Sequence, residues 1–166
     1  PEIDSWGLIW QTNNKIWKDE FSSPFRIDEK DNVLISNNII TNNEVISTGT
    51  DQLAIASSGG ILTILQKVVI TNNIVSNNIV DAVTACIGAG ITVGETSAEE
   101  ETIVSNNIIS NNTFQNSICL GGGIHLSLAQ GVNVSSNVIK HNDATYGGGL
   151  FLEVSVPFLS KNLIAG

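Results

Sequence analysis

A short motif recurs five times along this chain. In its fullest form, at residues 70–80, it reads ITNNIVSNNIV: an aliphatic residue, a hydroxyl residue and two asparagines, then the same order again. The second Asn of the first pair marks a common register in each unit: Asn38, Asn73, Asn107, Asn137 and Asn162. Subtracting successive numbers gives steps of 35, 34, 30 and 25 residues. The pattern therefore predicts constant elements separated by loops of variable length, as in proteins whose repeats stack on one another.

A glycine marker falls once between successive anchors. It reads SGGI ending at Ile61, GAGI at Ile91, GGGI at Ile124 and GGGL at Leu150. The positions three before and two after each anchor are aliphatic in every unit, and most of them are β-branched, which favours strands over helices. The segments lack the sustained three-and-four spacing of an amphipathic helix. Each unit is thus predicted to contain a glycine corner, a strand, a loop and the Asn motif.

These features predict an all-β chain folded as a right-handed parallel β-helix, a solenoid of about five coils. The hand follows the general rule for parallel crossovers. The NN-aliphatic-aliphatic motif, alternating with GGGI and YGGGL, resembles the right-handed parallel β-helix repeat superfamily over residues 32–166. The Gly-Gly-aliphatic corners resemble those of polymorphic outer-membrane autotransporter passengers. The resemblance implies the fold and leaves the activity open, because that superfamily includes polysaccharide lyases, pectin hydrolases, phage tailspikes, adhesins and surface-layer proteins.

Two regions are expected. Residues 1–31 hold five of the nine aromatic residues and are predicted to form an N-terminal cap or a first coil with an insertion. Residues 32–166 are predicted to form the β-helix repeats. Because the motif stops in mid-unit at Gly166, we expect the repeats to be truncated at the C-terminus.

The asparagines need a structural reason, because Asn is depleted in strands. Neighbouring coils of a parallel solenoid lie about 4.8 Å apart, so equivalent side chains stack. An inward Asn at a corner can donate its amide to the Asn of one neighbouring coil and accept from the other. We expect one ladder of Asn38, Asn73, Asn107, Asn137 and Asn162, and a second of Asn43, Asn78, Asn112 and Asn142. A hydroxyl column of Ser36, Thr71, Ser105, Ser135 and Ser160 would form a third polar stack.

A stripe of aliphatic residues directly follows the first ladder: Ile39, Ile74, Ile108, Val138 and Leu163. Since the next column is also aliphatic, one of the two must face outward. Intramolecular cover by the aromatic residues of the first 25 positions is the favoured interpretation: Trp6, Trp10, Trp17, Phe21 and Phe25. The alternative is an interface with another chain, since exposed apolar patches mark contacts.

The two cysteines share a register. Cys86 lies four residues before Gly90, and Cys119 lies four before Gly123, which predicts the same corner in successive coils. Stacked Cα atoms fall within disulfide range, so a bridge and a pair of buried thiols are both open. Two thiols fall short of the usual four metal ligands, and no metal or cofactor is expected.

Composition narrows the partners. The net charge is −9 and the pI is near 4.4. This charge argues against a nucleic-acid partner, because nucleic acids bind to basic surfaces. Residues 82–94 form the longest apolar stretch without charge, and 13 residues are too few to span a membrane. We expect an extracellular or cell-surface protein whose partners are other copies of itself, surface proteins or glycans.

The predicted function is a structural or adhesive role, as a stalk, a passenger or a filament subunit. The alternative hypothesis is catalysis. A polysaccharide-binding or polysaccharide-cleaving fragment would need paired carboxylates or a basic cluster. The carboxylates of the repeats are scattered over different coils and columns: Asp51, Asp81, Glu95, Asp143 and Glu153. The alignment also puts His125, His141, Asp143 and Glu153 in four different columns. No catalytic residue is therefore predicted, and the chain is expected not to be an enzyme.

Overall fold

The computed structural model describes residues 4–6, 15–17, 25–28, 33–47, 55–64, 67–97, 101–115 and 118–166. Side chains are described from residue 33 onward, except at 55–57. The described residues form short strands without a helix. Nothing in this described part is a helix with the length and apolarity that crossing a membrane requires.

The strands follow one another coil by coil. An initial coil contains β1 (Asp4–Trp6), β2 (Lys15–Trp17) and β3 (Phe25–Asp28). The second contains β4 (Val33–Ser36), β5 (Ile39–Thr41), β6 (Glu44–Ser47), β7 (Ile55–Ser57) and β8 (Ile61–Ile64). The third contains β9 (Val68–Thr71), β10 (Ile74–Ser76), β11 (Ile79–Ala82), β12 (Ala85–Ile87) and β13 (Ile91–Gly94). The fourth contains β14 (Ile103–Ser105), β15 (Ile108–Ser110), β16 (Thr113–Gln115), β17 (Ile118–Leu120) and β18 (Ile124–Ser127). The fifth contains β19 (Gln130–Ser135), β20 (Val138–Lys140) and β21 (Leu150–Glu153), and β22 (Val156–Ser160) and β23 (Leu163–Ala165) begin a sixth.

Equivalent strands of successive coils pair into five sheets. Sheet 1 has the order β1-β4-β9-β14-β19-β22, sheet 2 β5-β10-β15-β20-β23, and sheet 3 β2-β6-β11-β16. Sheet 4 has the order β7-β12-β17, and sheet 5 β3-β8-β13-β18-β21. The pairs are parallel throughout the described strands. The chain is therefore the all-β parallel solenoid that the repeats predict.

The core is a stack of aliphatic side chains inside the coils. The larger cluster is lined by sheets 1, 2 and 5, where Ile70, Val75 and Ile91 are completely buried. A smaller cluster lies inside sheets 3 and 4 and includes Val80 and Cys86. Full burial of a Val or Ile side chain contributes about 1.5–3 kcal/mol. Because a coil buries these side chains only against its neighbours, each coil is stable only when it is stacked on another.

The glycine marker has a steric cause. A Cβ placed on Gly60 would overlap the carbonyl oxygen of Gly90, and one on Gly90 would overlap that of Gly123. The backbone N–H of Ile61 donates to the Gly90 oxygen at 2.9 Å, so the coils approach closely here. The recurring Gly-aliphatic step thus lets successive corners stack in register.

Candidate functional site

The first Asn column forms a continuous ladder that is buried from Asn38 to Asn137 and half-buried at Asn162. The Nδ2 of Asn73 donates to Oδ1 of Asn107 at 3.0 Å and to the carbonyl oxygen of Ile35 at 2.9 Å. The backbone N–H of Asn73 donates to the same Oδ1 at 2.9 Å. This pattern joins Asn38, Asn73, Asn107, Asn137 and Asn162 in order. The amides of Asn73, Asn107 and Asn137 therefore each link their own coil to the coils on both sides.

The second Asn column repeats this geometry one corner further on. Asn78 Nδ2 donates to Asn112 Oδ1 at 2.9 Å and to the Ile40 carbonyl oxygen at 3.1 Å. The ladder comprises Asn43, Asn78, Asn112 and Asn142. Because the amide donors and acceptors are satisfied across coils, these buried polar groups stabilise the stacking instead of opposing it.

The first Asn of each pair has a different task. Asn37, Asn72 and Asn106 have φ of 58°, 56° and 56°, in the left-handed region that Asn tolerates better than most residues. A second left-handed column follows sheet 2 and consists of Asn42, Asn77, Asn111 and His141. No separate role was predicted for these residues, although the doubling of Asn was a visible signal for a turn. They bend the chain so that the following Asn points inward.

The aliphatic stripe after the first ladder faces outward. Ile39, Ile74 and Ile108 are 42%, 38% and 42% exposed, whereas Ile40, Val75 and Ile109 of the next column are buried. Val138 is half-buried and Leu163 is exposed. The predicted aromatic cover falls partly on Trp10 and Phe21, which lie outside the described residues, and on Trp6, Trp17 and Phe25, whose side chains also lie outside them.

This stripe is bordered by asparagines on both sides. We call the group the sheet 2 strip, comprising Asn37, Ile39, Asn42, Asn72, Ile74, Asn77, Asn106, Ile108 and Asn111. All six of these asparagines are exposed. Hydroxyls fill the space beside the aliphatic column: Thr41 Oγ1 lies 3.2 Å from Ser76 Oγ, and Asn77 Nδ2 donates to both at 3.4 Å. In the neighbouring hydroxyl column on sheet 1, Thr71 Oγ1 lies 3.2 Å from Ser105 Oγ.

The three sequence segments that contain the strip carry no charged residue. Residues 33–43, 68–78 and 103–113 contain no Asp, Glu, Lys, Arg or His, although the chain as a whole has a net charge of −9. Lys140 and His141 end this uncharged region in the fifth coil. The strip therefore presents methyl groups, hydroxyls and amides at a repeat of about 4.8 Å.

Cys86 and Cys119 form a disulfide between the third and fourth coils. They are register partners in β12 and β17, with Cα atoms 4.6 Å apart, and both are completely buried. The prediction of a shared corner is wrong in detail, because both residues lie at the centre of strands of sheet 4. The sequence left open a disulfide or a pair of buried thiols, and the structure contains the disulfide.

His125 and Glu153 meet on the outer side of sheet 5. His125 Nε2 lies 3.4 Å from Glu153 Oε2, and Ser127 Oγ donates to the same Oε2 at 2.8 Å. The imidazole is completely buried, with its centroid 5.6 Å from that of the Phe151 ring, while Glu153 is 45% exposed. Burial lowers the pKa of His125 below its usual 6.5, and the negative charge and closeness of Glu153 partly oppose this. Among the described residues, no hydrogen-bond partner lies within reach of either ring nitrogen.

This contact corrects the expectation that the four polar residues stay apart. The register partner of His125 is Phe151, and that of Glu153 is Ser127, so His125 and Glu153 do lie in different columns. The Glu153 side chain nevertheless reaches diagonally to the imidazole ring of His125. His141 and Asp143 lie at the corner after β20, where their backbone N–H groups donate to Ala165 and Asn112 oxygens. Within the described residues, no group of three or more His, Cys, Asp or Glu side chains is arranged to hold a metal ion.

Comparison with known proteins identifies one family. The model of the right handed beta helix region matches residues 11–164. No curated protein and no solved structure matches the chain significantly.

Proposed function

Because the chain belongs to the right handed beta helix region family, we propose that it is a structural or adhesive part of a secreted or cell-surface protein. It would serve as a stalk, a passenger or a filament subunit. The observation that carries this proposal is the pair of Asn ladders. Their buried amides join one coil to the next through hydrogen bonds.

The mechanism is mechanical. Successive coils are held by parallel pairing in five sheets and by two amide ladders that run through coils two to five. A hydrogen bond contributes about 1 kcal/mol net, and buried networks that are fully satisfied are more rigid than isolated bonds. A rod built in this way holds its outer faces and loops at fixed positions, which suits display at a distance from an anchor.

The disulfide supports a location outside the cytosol. Cys86 and Cys119 are joined across two coils, and such bonds persist mainly in oxidising compartments. The Gly-Gly-aliphatic corners, which resemble those of autotransporter passengers, point in the same direction. Both observations favour a secreted or surface-exposed rod.

A second candidate function has one observation in its favour. The His125 and Glu153 pair places an imidazole beside a half-exposed carboxylate, an arrangement that general acid–base catalysis uses. A polysaccharide-cleaving fragment would use Glu153 as the solvent-facing member of this pair. We rank it second because the pair lacks the second carboxylate that glycoside hydrolysis normally requires.

The test is a glycan-array screen of the purified chain, with a parallel assay for release of reducing or unsaturated sugar ends. We expect binding without release, and equal binding by Glu153→Gln. Release that Glu153→Gln abolishes and the matched surface variant Glu95→Gln retains would replace the proposal with the second candidate. If the chain neither binds a glycan nor releases sugar ends, the adhesive role is contradicted and the structural role remains.

A further inference from the structure

The sheet 2 strip is a surface on which two copies of this chain can pack. We propose that two rods associate side by side and antiparallel through this strip, with the aliphatic column of one rod against the aliphatic column of the other. The inference rests on the proposed structural role and names the partner and the surface of contact. It concerns a different side of the coil from the His125 and Glu153 pair, which lies on sheet 5.

Charge favours this side of the rod for self-association. Each copy carries a net charge of −9, so two copies repel where their acidic surfaces approach each other. Asp81 lies on sheet 3 and Glu153 on sheet 5. Residues 33–43, 68–78 and 103–113, which supply sheets 1 and 2 in three coils, contain no charged residue. Two copies therefore meet through the strip with less repulsion than through sheets 3 or 5.

The polar groups beside the aliphatic column can be covered at little cost. The hydroxyl oxygens of Thr41 and Ser76 lie 3.2 Å apart, and Asn77 Nδ2 donates to both at 3.4 Å. Since these hydroxyls have partners within the chain, a second copy can exclude water from them without leaving them unpaired. The exposed amides of Asn72 and Asn106 can each donate and accept, so equivalent amides of two copies can pair. The strip is thus complementary to itself, as a two-fold interface requires.

The repeat determines the relative direction of the two rods. On the outer side of sheet 2, the column of Ile74 and Ile108 lies two residues from the column of Ser76 and Ser110, a distance of about 6.6 Å. A two-fold axis parallel to the rods would place each aliphatic column against the hydroxyls of the other copy. A two-fold axis across the strip places aliphatic groups on aliphatic groups and makes the rods antiparallel. Apolar burial favours this second arrangement.

The size of the strip predicts a weak dimer. Five coils at the strand spacing give a length of about 19 Å, and one strand with its flanking asparagines gives a width of about 15 Å. Two copies would bury roughly 600 Å² together, which is below the range of about 1,200–2,000 Å² typical of stable complexes. We expect a dissociation constant on the order of 0.1 mM. Rods displayed at high local concentration would associate at this strength.

Sedimentation equilibrium of the full chain, over concentrations that bracket this constant, tests the assignment. We expect a monomer–dimer equilibrium that added sodium chloride strengthens, because salt screens the repulsion between two acidic rods. Ile108→Asp should weaken association roughly tenfold or more, since two carboxylates would be buried against each other. The control Val83→Asp, at an exposed position off the strip, makes the same change in net charge and should leave association unchanged.

A gentler variant guards against misfolding. Ile108→Thr keeps a β-branched residue in the strand, so it should weaken association severalfold with the circular dichroism spectrum unchanged. The matched control is Ile118→Thr on sheet 4, where the side chain is also exposed and no effect on association is expected. A chain that stays monomeric at millimolar concentration, or a dimer that both Ile108 variants leave intact, would overturn the inference.

Oxidative cross-linking tests the direction of the rods. At full overlap, Ile39 faces the partner's Leu163 in the antiparallel arrangement. A mixture of Ile39→Cys and Leu163→Cys proteins should therefore cross-link faster than either protein alone. Cross-linking of Ile39→Cys with itself that is as fast as in the mixture would overturn the antiparallel assignment.

Failure of this inference and failure of the proposed function are distinguishable. Absence of a dimer leaves the structural rod standing, because the glycan and sugar-release assays are performed on the monomer. Sugar release that depends on Glu153 would replace the proposed function without changing the sedimentation of the Ile108 variants.

Discussion

His125 Nε2 and Glu153 Oε2 lie 3.4 Å apart across the fourth and fifth coils. The two residues are not register partners, since His125 pairs with Phe151 and Glu153 with Ser127. The buried ring is thus placed beside one carboxylate, and within the described part of the chain neither of its nitrogens is hydrogen-bonded. We therefore expect the stability of the rod to depend on pH through this buried imidazole.

The stability of the chain should fall in mild acid because of His125. Burial lowers the pKa of His125 in the folded state, so the unfolded chain binds a proton below about pH 6.5 that the folded chain does not. The free energy of unfolding should therefore decrease from pH 7.5 toward pH 5.5, by up to about 1.4 kcal/mol per pH unit from this group. Urea titrations at a series of pH values measure it.

The matched variant for this prediction is His125→Leu, because Leu62 occupies the equivalent position two coils earlier. Its unfolding free energy should vary less with pH than that of the wild type over the same interval. The control Val83→Leu, at an exposed position outside sheet 5, should keep the wild-type dependence. Equal slopes for His125→Leu and the wild type would show that another group is responsible.

Val154 is a strained position. It is 73% exposed and has φ of 49°, a conformation that β-branched residues rarely adopt. Val154→Asn should raise the free energy of unfolding by about 1 kcal/mol, because Asn accepts the left-handed region more readily. The control is Val156→Asn in the extended strand β22, where Asn is disfavoured and no gain is expected. Equal urea midpoints for the two variants would contradict the explanation.

The disulfide should contribute substantially to stability. Cys86 and Cys119 are 33 residues apart, for which the chain-entropy model gives about 3–4 kcal/mol. Adding a reductant that opens the bond should lower the urea midpoint of the wild type. The Cys86→Ala, Cys119→Ala double variant should unfold at the lower midpoint with or without reductant. Thiol titration establishes that the bond has been reduced. If the urea midpoint of the reduced wild type is then unchanged, the prediction is contradicted.

The stacking of equivalent residues explains what could be read from the sequence. A parallel solenoid gives the same environment to every member of a column, so the Asn73 and Asn107 ladder and the outward position of Ile74 follow from the repeat. Cys86 and Cys119 share a column for the same reason. The five-sheet cross-section was not predicted, because three-residue strands such as β10 are too short to show a period of their own.

Contacts between columns were harder to predict. The His125 and Glu153 contact depends on the diagonal reach of one long side chain, which a column alignment does not represent. The left-handed backbone at Asn72 was missed because the adjacent Asn73 already explained the motif. Both features depend on side-chain direction and backbone dihedral angles, which vary within a fixed register.

The ladder is the central claim, and Asn107→Ala tests it most directly. Asn107 Oδ1 accepts hydrogen bonds from the backbone and side-chain N–H groups of Asn73. Its Nδ2 donates to the carbonyl oxygen of Ile70 and to Oδ1 of Asn137. Removing it leaves buried groups unpaired at about 1–3 kcal/mol each, so we expect a loss of roughly 3–5 kcal/mol. Asn106→Ala, the exposed neighbour, should cost only about 1 kcal/mol from its left-handed backbone.

The decisive measurement is the difference in unfolding free energy between these two variants, obtained from urea denaturation under one set of conditions. The account predicts that Asn107→Ala is the less stable by at least 2 kcal/mol, as follows from the two values estimated above. Equal stability of Asn107→Ala and Asn106→Ala would contradict the claim that the buried amides hold the coils together.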